Sequence, residues 1–144
     1  MPATVATISY PPELPVSAQR VWDTVGGFNN LAKWHPAVAR SEENKSGNTT
    51  VRTLHLHGGA SLVEQLEAID NKARSYSYTI VEGPLPVARY RSTLHVSEKA
   101  DGRGCTVEWS SDFEPSGASE SDAVKAIRGV YEAGFDNLRK MFGG

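Results

Sequence analysis

The chain has 144 residues, a formal net charge of −2 and a single cysteine, Cys105. That length supports one domain with a real core, expected over residues 1–144, and the near-neutral charge excludes the basic field that nucleic acid requires. One cysteine excludes an internal disulfide or a thiolate metal cluster; an inert packing thiol in a reducing cytoplasm is expected. The N-terminal stretch has no basic region and no long apolar run, so neither a signal peptide nor membrane insertion is expected.

In chain order, residues 4–10 alternate β-branched and small side chains and predict a strand ended by Pro11-Pro12. Ser17 suits the N-cap of a short helix through Trp22 and Val25, which Gly26-Gly27 stops. A second short helix over residues 28–34 is halted at His35-Pro36, because the residue before a proline avoids helical backbone. Trp22 and Trp34 are read as core residues of these helices. Strand-like runs follow over residues 37–42, 50–57, 61–70, 73–81, 88–98 and 104–114. Turn chemistry separates them, including Ser46-Gly47-Asn48, Gly58-Gly59, Asp70-Asn71-Lys72 and Gly83-Pro84-Leu85-Pro86. Links this short make neighbours antiparallel. The order predicts an α+β domain: a curved seven-stranded antiparallel sheet wrapped around a long C-terminal helix, with two short helices after the first strand.

Alternation with period two assigns the faces. Leu54 and Leu56 share one face, with Thr53, His55 and His57 opposite; Leu62, Glu64, Leu66 and Ala68 form another row. Glu64 is therefore a carboxylate among apolar neighbours. It is either wet at a sheet edge or a pocket acid whose pKa desolvation raises. Tyr76, Tyr78 and Ile80 line up, as do Tyr90, Ser92, Leu94 and Val96, which puts phenols on two apolar rows. In the last strand Val107, Trp109, Ser111 and Phe113 form the inner row, unless a bulge exchanges it for the Glu108 row.

Residues 119–142 read as one amphipathic helix, with Ala123, Val124, Ile127, Val130, Tyr131, Gly134, Phe135, Leu138, Met141 and Phe142 on its apolar arc. Beside that arc runs a flank of small and polar residues, Ala126, Ala133 and Asn137. Either the helix closes over a ligand space there, or a neighbouring loop fills the gap.

The pair His55 and His57 has metal-ligand spacing, but it lies opposite the leucines and lacks an obvious third ligand; neither metal nor cofactor is expected. Ser61, Ser92 and Ser110 lack a nucleophile-elbow setting, and the glycine turns are hairpins rather than phosphate loops.

Several segments together resemble the START-like, birch-pollen-allergen-like superfamily (SRPBCC), in its bacterial polyketide cyclase/dehydrase and lipid-transport branch. They are Ser17-Ala18-Gln19-Arg20-Val21-Trp22, Trp34-His35-Pro36-Ala37-Val38, Arg52-Thr53-Leu54, Glu64-Gln65-Leu66, Tyr76-Ser77-Tyr78, Leu85-Pro86 and the end from Val130 through Asn137-Leu138-Arg139-Lys140-Met141. The likeness spans essentially the whole chain. It implies the helix-grip fold and a cavity between the sheet and the terminal helix. By similarity to plant abscisic acid receptors, which this branch also resembles, Glu64, Tyr78, Tyr90, Ser92 and Asn137 match ligand-contacting positions, and the Gly58-Gly59 and 83–87 turns frame the mouth. The short first turn and Leu85-Pro86 in the second depart from the receptors, and only His35 or Lys33 lies where those receptors hold a ligand carboxylate. A plant-hormone receptor role is therefore not expected.

Two functions compete. One is a binding protein for a small hydrophobic or aromatic ligand, contacting Leu54, Leu56, Leu66, Tyr78, Ser92, Trp109, Ala133 and Asn137, in a chain that is a monomer or homodimer. The other is a cyclase/dehydratase-like enzyme with Glu64 as acid/base, His35 as a second acid/base at the mouth, Tyr90 and Tyr78 donating to a carbonyl or enolate oxygen, and Asn137 as an orienting amide. A purely structural module would need a filled interior and an exposed apolar patch, which no segment supplies.

Overall fold

The computed structural model of the protein describes residues 6–10 and 13–143. β1 (Ala6–Tyr10) and the two-residue β2 (Glu13–Leu14) precede α1 (Ala18–Val25), a 3₁₀ turn (Phe28–Asn30) and α2 (Leu31–Trp34). Then come β3 (Val38–Ser46), β4 (Thr49–Leu56), β5 (Ser61–Asp70), β6 (Ser75–Glu82), β7 (Val87–Glu98), β8 (Cys105–Pro115) and the long α3 (Glu120–Phe142). This is the predicted order, with β2 as an addition; Thr4, Val5, Pro11 and Pro12 of the predicted first strand and its stop lie outside the described residues. The strands pair antiparallel in the spatial order β1-β8-β7-β6-β5-β4-β3, and β2 adds to β8. The first strand thus closes against the last, and the sheet curls around α3 in the helix-grip arrangement.

Local chemistry sets the helix ends. The Ser17 hydroxyl accepts from the Arg20 N–H at 3.2 Å, and Ser119 accepts from the Asp122 N–H at 3.1 Å. Each satisfies a donor that the first helical turn leaves free. Glu120 and Asp122 open α3 while Arg139 and Lys140 close it, complementing the helix dipole.

The inner rows follow the alternation. Tyr76, Tyr78, Tyr90, Leu94, Val96, Val107, Trp109 and Phe113 are all buried, so the Trp109 row of β8, not the Glu108 row, faces the core. Ala68 departs from the predicted row. The β5–β6 register shifts between Leu66 and Ala68, which turns Ala68 outward beside Ser77.

On the concave face, Tyr131 of α3 stacks on Trp109 with ring centroids 4.2 Å apart, and Phe135 meets the same indole edge-on at 6.0 Å. A Cβ placed on Gly134 would sit 2.9 Å from the Trp34 ring and 3.0 Å from the His35 ring. Glycine is what lets the end of α2 approach α3 this closely. Of the small-residue flank, Asn137 is tied to the same segment through the Trp34 carbonyl, while Ala126 and Ala133 remain half-buried. No helix among the described residues is long and apolar enough to cross a membrane.

Candidate functional site

An apolar cavity of about 80 Å³ remains between the sheet and α3. Leu54 and Leu56 of β4, Leu62 and Glu64 of β5, Tyr78 and Ile80 of β6, Tyr90 of β7 and Trp109 of β8 form its floor. Ile127 and Val130 of α3 cover it, while Leu31, His35, Ala37, Val38 and Leu85 complete the rim. Of the expected residues, the fold gathers Glu64, Tyr90, His35, Leu54, Leu56, Tyr78 and Trp109 on this one wall. Leu66 is turned to a separate open groove of about 640 Å³ on the far side of Phe28. Ser92 is buried but lies behind Tyr131, outside the wall. Ala133 and Asn137 also lie off it; the Asn137 amide donates to the Trp34 carbonyl at 2.8 Å and ties the end of α2 to α3.

Glu64 is not a wet edge carboxylate. It is 3 % exposed and sits directly across the β4–β5 ladder from Arg52, which is fully buried. The Arg52 Nε donates to Glu64 Oε1 at 2.8 Å, and Nη2 lies 2.6 Å from the same oxygen. Nη1 donates to the Phe28 carbonyl. The guanidinium also lies 4.2 Å from the Phe28 ring centroid, 4.9 Å from that of Tyr78 and 5.8 Å from that of Tyr76. Arg52 thus separates the inner cavity, walled by Glu64, from the outer groove, walled by Phe28. Burial pushes the Glu64 carboxyl above its ordinary pKa, and the guanidinium opposes that rise. Because arginine does not release its proton, contact at 2.6 Å holds Glu64 as a carboxylate at neutral pH. Glu64 Oε2 accepts no hydrogen bond from the described residues.

His35 has both ring nitrogens engaged. Nδ1 accepts from the Ala37 N–H at 3.2 Å, so Nε2 carries the proton and donates to the Val130 carbonyl at 2.7 Å. Burial is the main cause that lowers its pKa, and the Arg52 charge adds to it against the Val130 bond. The imidazole is a neutral tether between α2 and α3.

The tyrosines form a chain whose direction can be assigned. Ser92 donates to the Ser110 carbonyl at 2.9 Å, which uses its one proton. The Tyr131 hydroxyl, 2.9 Å from Ser92 Oγ, therefore donates to Ser92. The Tyr90 hydroxyl, 2.5 Å from that of Tyr131, donates in turn to Tyr131. Tyr90 is left with a lone pair, not a proton, for the cavity, which reverses its expected part as a donor. Tyr78 accepts from the Trp109 indole at 3.1 Å and keeps its own proton. Burial raises Tyr78 and Tyr90 well above the usual phenol value and pushes Tyr131 up to about 12, so all three stay neutral. On the opposite face His55 lies 3.3 Å from Glu42, and no group of three or more His, Cys, Asp or Glu is arranged for a metal among the described residues.

Sequence reasoning missed Arg52 and Tyr131 as parts of the site. Arg52 had a signal: it shares the inward parity of Leu54 and Leu56, and the hairpin centred on Gly58 pairs it with Glu64. Tyr131 meets Tyr90 from 41 residues away, which no local pattern reveals.

Residues 5–143 match the family described as polyketide cyclase / dehydrase and lipid transport. The protein XoxI from Bacillus cereus is 34 % identical, with a TM-score of 0.90 and 95 % of each chain covered. The major pollen allergen Car b 1 (isoforms 1A and 1B) of Carpinus betulus is 27 % identical over 149 residues, covering 95 % of this chain and 92 % of the allergen. The Zhui aromatase/cyclase from Streptomyces sp. R1128, at 14 % identity and a TM-score of 0.72 over 96 % of each chain, shares the fold.

Proposed function

We infer, from the premise that this chain belongs to the polyketide cyclase / dehydrase and lipid transport family of the START-like superfamily, that it is a binding protein for a small, mainly apolar molecule held between the sheet and α3. One observation carries this reading. The cavity wall is almost wholly apolar, and each titratable side chain on it already holds a protein partner. Acid/base chemistry near neutral pH needs groups free to change protonation state during turnover, and the buried phenol of Tyr78, raised well above its ordinary value, is not one. Here His35 is spent on two backbone groups, and Glu64 is committed to Arg52.

The cavity is smaller than the roughly 150 Å³ that encloses a benzene ring, so a ligand must widen it. Leu85 also lines a neighbouring open cleft of about 320 Å³ formed by the β6–β7 turn. Displacing that side chain would join the two spaces and admit the ligand. The test is native mass spectrometry of the purified protein, with extraction and identification of what co-purifies. A bound apolar molecule returned unchanged supports the carrier; no bound species, and no response of tryptophan fluorescence to apolar probes, would overturn it.

The second reading is a cyclase/dehydratase-like enzyme. The unbonded Oε2 of Glu64 favours it, as a carboxylate oxygen on the cavity wall able to take a proton. Conversion of the co-purified molecule, abolished in Glu64→Gln, would establish it; conversion that survives the substitution would exclude Glu64 as the acid/base.

A further inference from the structure

The polar atoms on the cavity wall share one hydrogen-bond sense at two positions. Glu64 Oε1 is taken up by Arg52, while Oε2 accepts nothing from the described residues. The Tyr90 proton is spent along the chain through Tyr131 and Ser92 to the Ser110 carbonyl, so its oxygen also faces the cavity as an acceptor. The cation that could receive an anionic ligand is occupied, since Arg52 is held by Glu64 and by the Phe28 carbonyl. A carboxylate entering the cavity would meet the Glu64 carboxylate with no unpaired cation among the described residues of the wall. An ether or ketone would leave Glu64 Oε2 buried without a donor, which is costly for a charged acceptor.

We propose that the cavity selects neutral apolar molecules carrying a hydroxyl hydrogen-bond donor, phenols and alcohols, and discriminates against carboxylates and ethers of the same skeleton. This rests on the binding reading above and adds the ligand class. Glu64 Oε2 takes the ligand O–H, the Tyr90 oxygen offers a second acceptor nearby, and the leucines with Ile80 hold the hydrocarbon part. Among the described residues of the wall, the Tyr78 hydroxyl keeps a free proton and can serve the oxygen of the same ligand group. A hydroxyl is both donor and acceptor and satisfies the set; a carboxylate or an ether oxygen is acceptor only.

The test uses the purified full-length protein at pH 7.5 and three probes sharing one skeleton: 4-ethylphenol, 4-ethylanisole and 4-ethylbenzoate. Affinities are measured calorimetrically, and the indole N–H signals of Trp22, Trp34 and Trp109 are followed by NMR to locate each probe. Trp109 reports the cavity and Trp22 the outer groove. The phenol is expected to bind roughly ten- to a hundredfold tighter than the ether, the span of a hydrogen bond to a charged acceptor, with Trp109 shifting. The benzoate is expected to be at least as weak as the ether. Equal binding of phenol and ether at the Trp109 site, or tightest binding by the benzoate, overturns the donor selection while leaving the cavity a binding site. Failure of all three to shift Trp109 at millimolar concentration overturns the binding reading itself. The comparison is complete with the wild type. Where Glu64→Gln folds, its amide oxygen stays with Arg52 and its NH2 takes the place of Oε2 as a donor, so the phenol's advantage should fall to about threefold or less.

Discussion

Replacing Arg52 by methionine isolates the strongest electrostatic commitment in the protein. Methionine keeps much of the side chain's length and apolar volume, so packing against Phe28, Tyr76 and Tyr78 changes little, while the charge and the donors disappear. The losses include both nitrogens on Glu64 Oε1, the bond to the Phe28 carbonyl and the interaction with the Tyr76 hydroxyl. Removing one partner of a fully buried pair typically costs about 3–5 kcal/mol, because the other charge is left uncompensated. The cost must depend on pH. Burial already raises Glu64 against the pull of Arg52, so without the guanidinium its folded pKa rises further. A carboxyl whose folded pKa exceeds its unfolded one favours folding most when protonated and loses that contribution as pH rises through the folded value. The variant should therefore be weakest at pH 8 and recover part of the deficit at pH 5, measured by urea unfolding monitored through circular dichroism. The double variant Arg52→Met with Glu64→Leu should regain most of the loss at pH 8, since apolar replacement of both partners is often neutral or stabilising. A single-variant cost below about 1 kcal/mol, or a double variant less stable than the single, would show that the pair does not couple as its geometry requires.

Three other perturbations probe the remaining contacts. His35→Leu should destabilise by about 1–3 kcal/mol through two lost hydrogen bonds. The wild type should lose stability as pH falls below the ordinary histidine value near 6.5, because a neutral buried imidazole binds its proton less readily than the unfolded one, and the variant should lose that slope in the same urea titration. Tyr131→Phe removes the acceptor of the Tyr90 proton, freeing that proton for the cavity; the affinity of 4-ethylacetophenone relative to 4-ethylphenol should rise several-fold over wild type by calorimetry, and an unchanged ratio would contradict the assigned direction of the chain. Leu85→Trp should fill the passage between the cavity and the adjoining cleft, slowing probe association at least tenfold in stopped-flow fluorescence with the thermal midpoint nearly unchanged; wild-type association would place the entrance elsewhere.

Fold and site differ in how far local pattern reaches. The strands are legible because turns such as Gly58-Gly59 punctuate short runs of strict alternation, and Ser17 announces its helix. The Ala68 parity is not, since a bulge is a pairing event between β5 and β6 and leaves no mark on either strand alone. Glu64 stood out as a charge on an apolar row, yet its partner was legible only through hairpin symmetry about Gly58. His35 and Asn137 read as functional polar groups in the sequence; in the structure they bond backbone carbonyls 95 and 103 residues away, a use that side-chain identity cannot announce. On the small flank of α3, Asn137 is covered by the end of α2, and neither it nor Ala126 nor Ala133 lines the cavity; the close approach and the cavity both fall on the apolar arc instead. Trp34 and His35 pack against Gly134, while a cavity persists one turn further towards the N-terminus, under Ile127 and Val130.

That division explains the size of the cavity. Tyr78, Tyr90 and Trp109 project from three adjacent strands onto the concave face, and each ring meets a ring or α3 across it. Aromatic side chains bury large areas and fix their own orientation through the hydrogen bonds at their tips, so the floor is both core and cavity wall. Enlarging the cavity by truncating a ring would remove packing and a hydrogen bond together. The aliphatic side chains Leu85, Leu62 and Ile80 carry no such bond and can change rotamer at small cost. Adaptation to a ligand should therefore be confined to the aliphatic end near the β6–β7 turn, while the polar end at Glu64 and Tyr90 keeps one geometry. Ligand length would then be accommodated at Leu85, and the identity of the polar group would be read at Glu64.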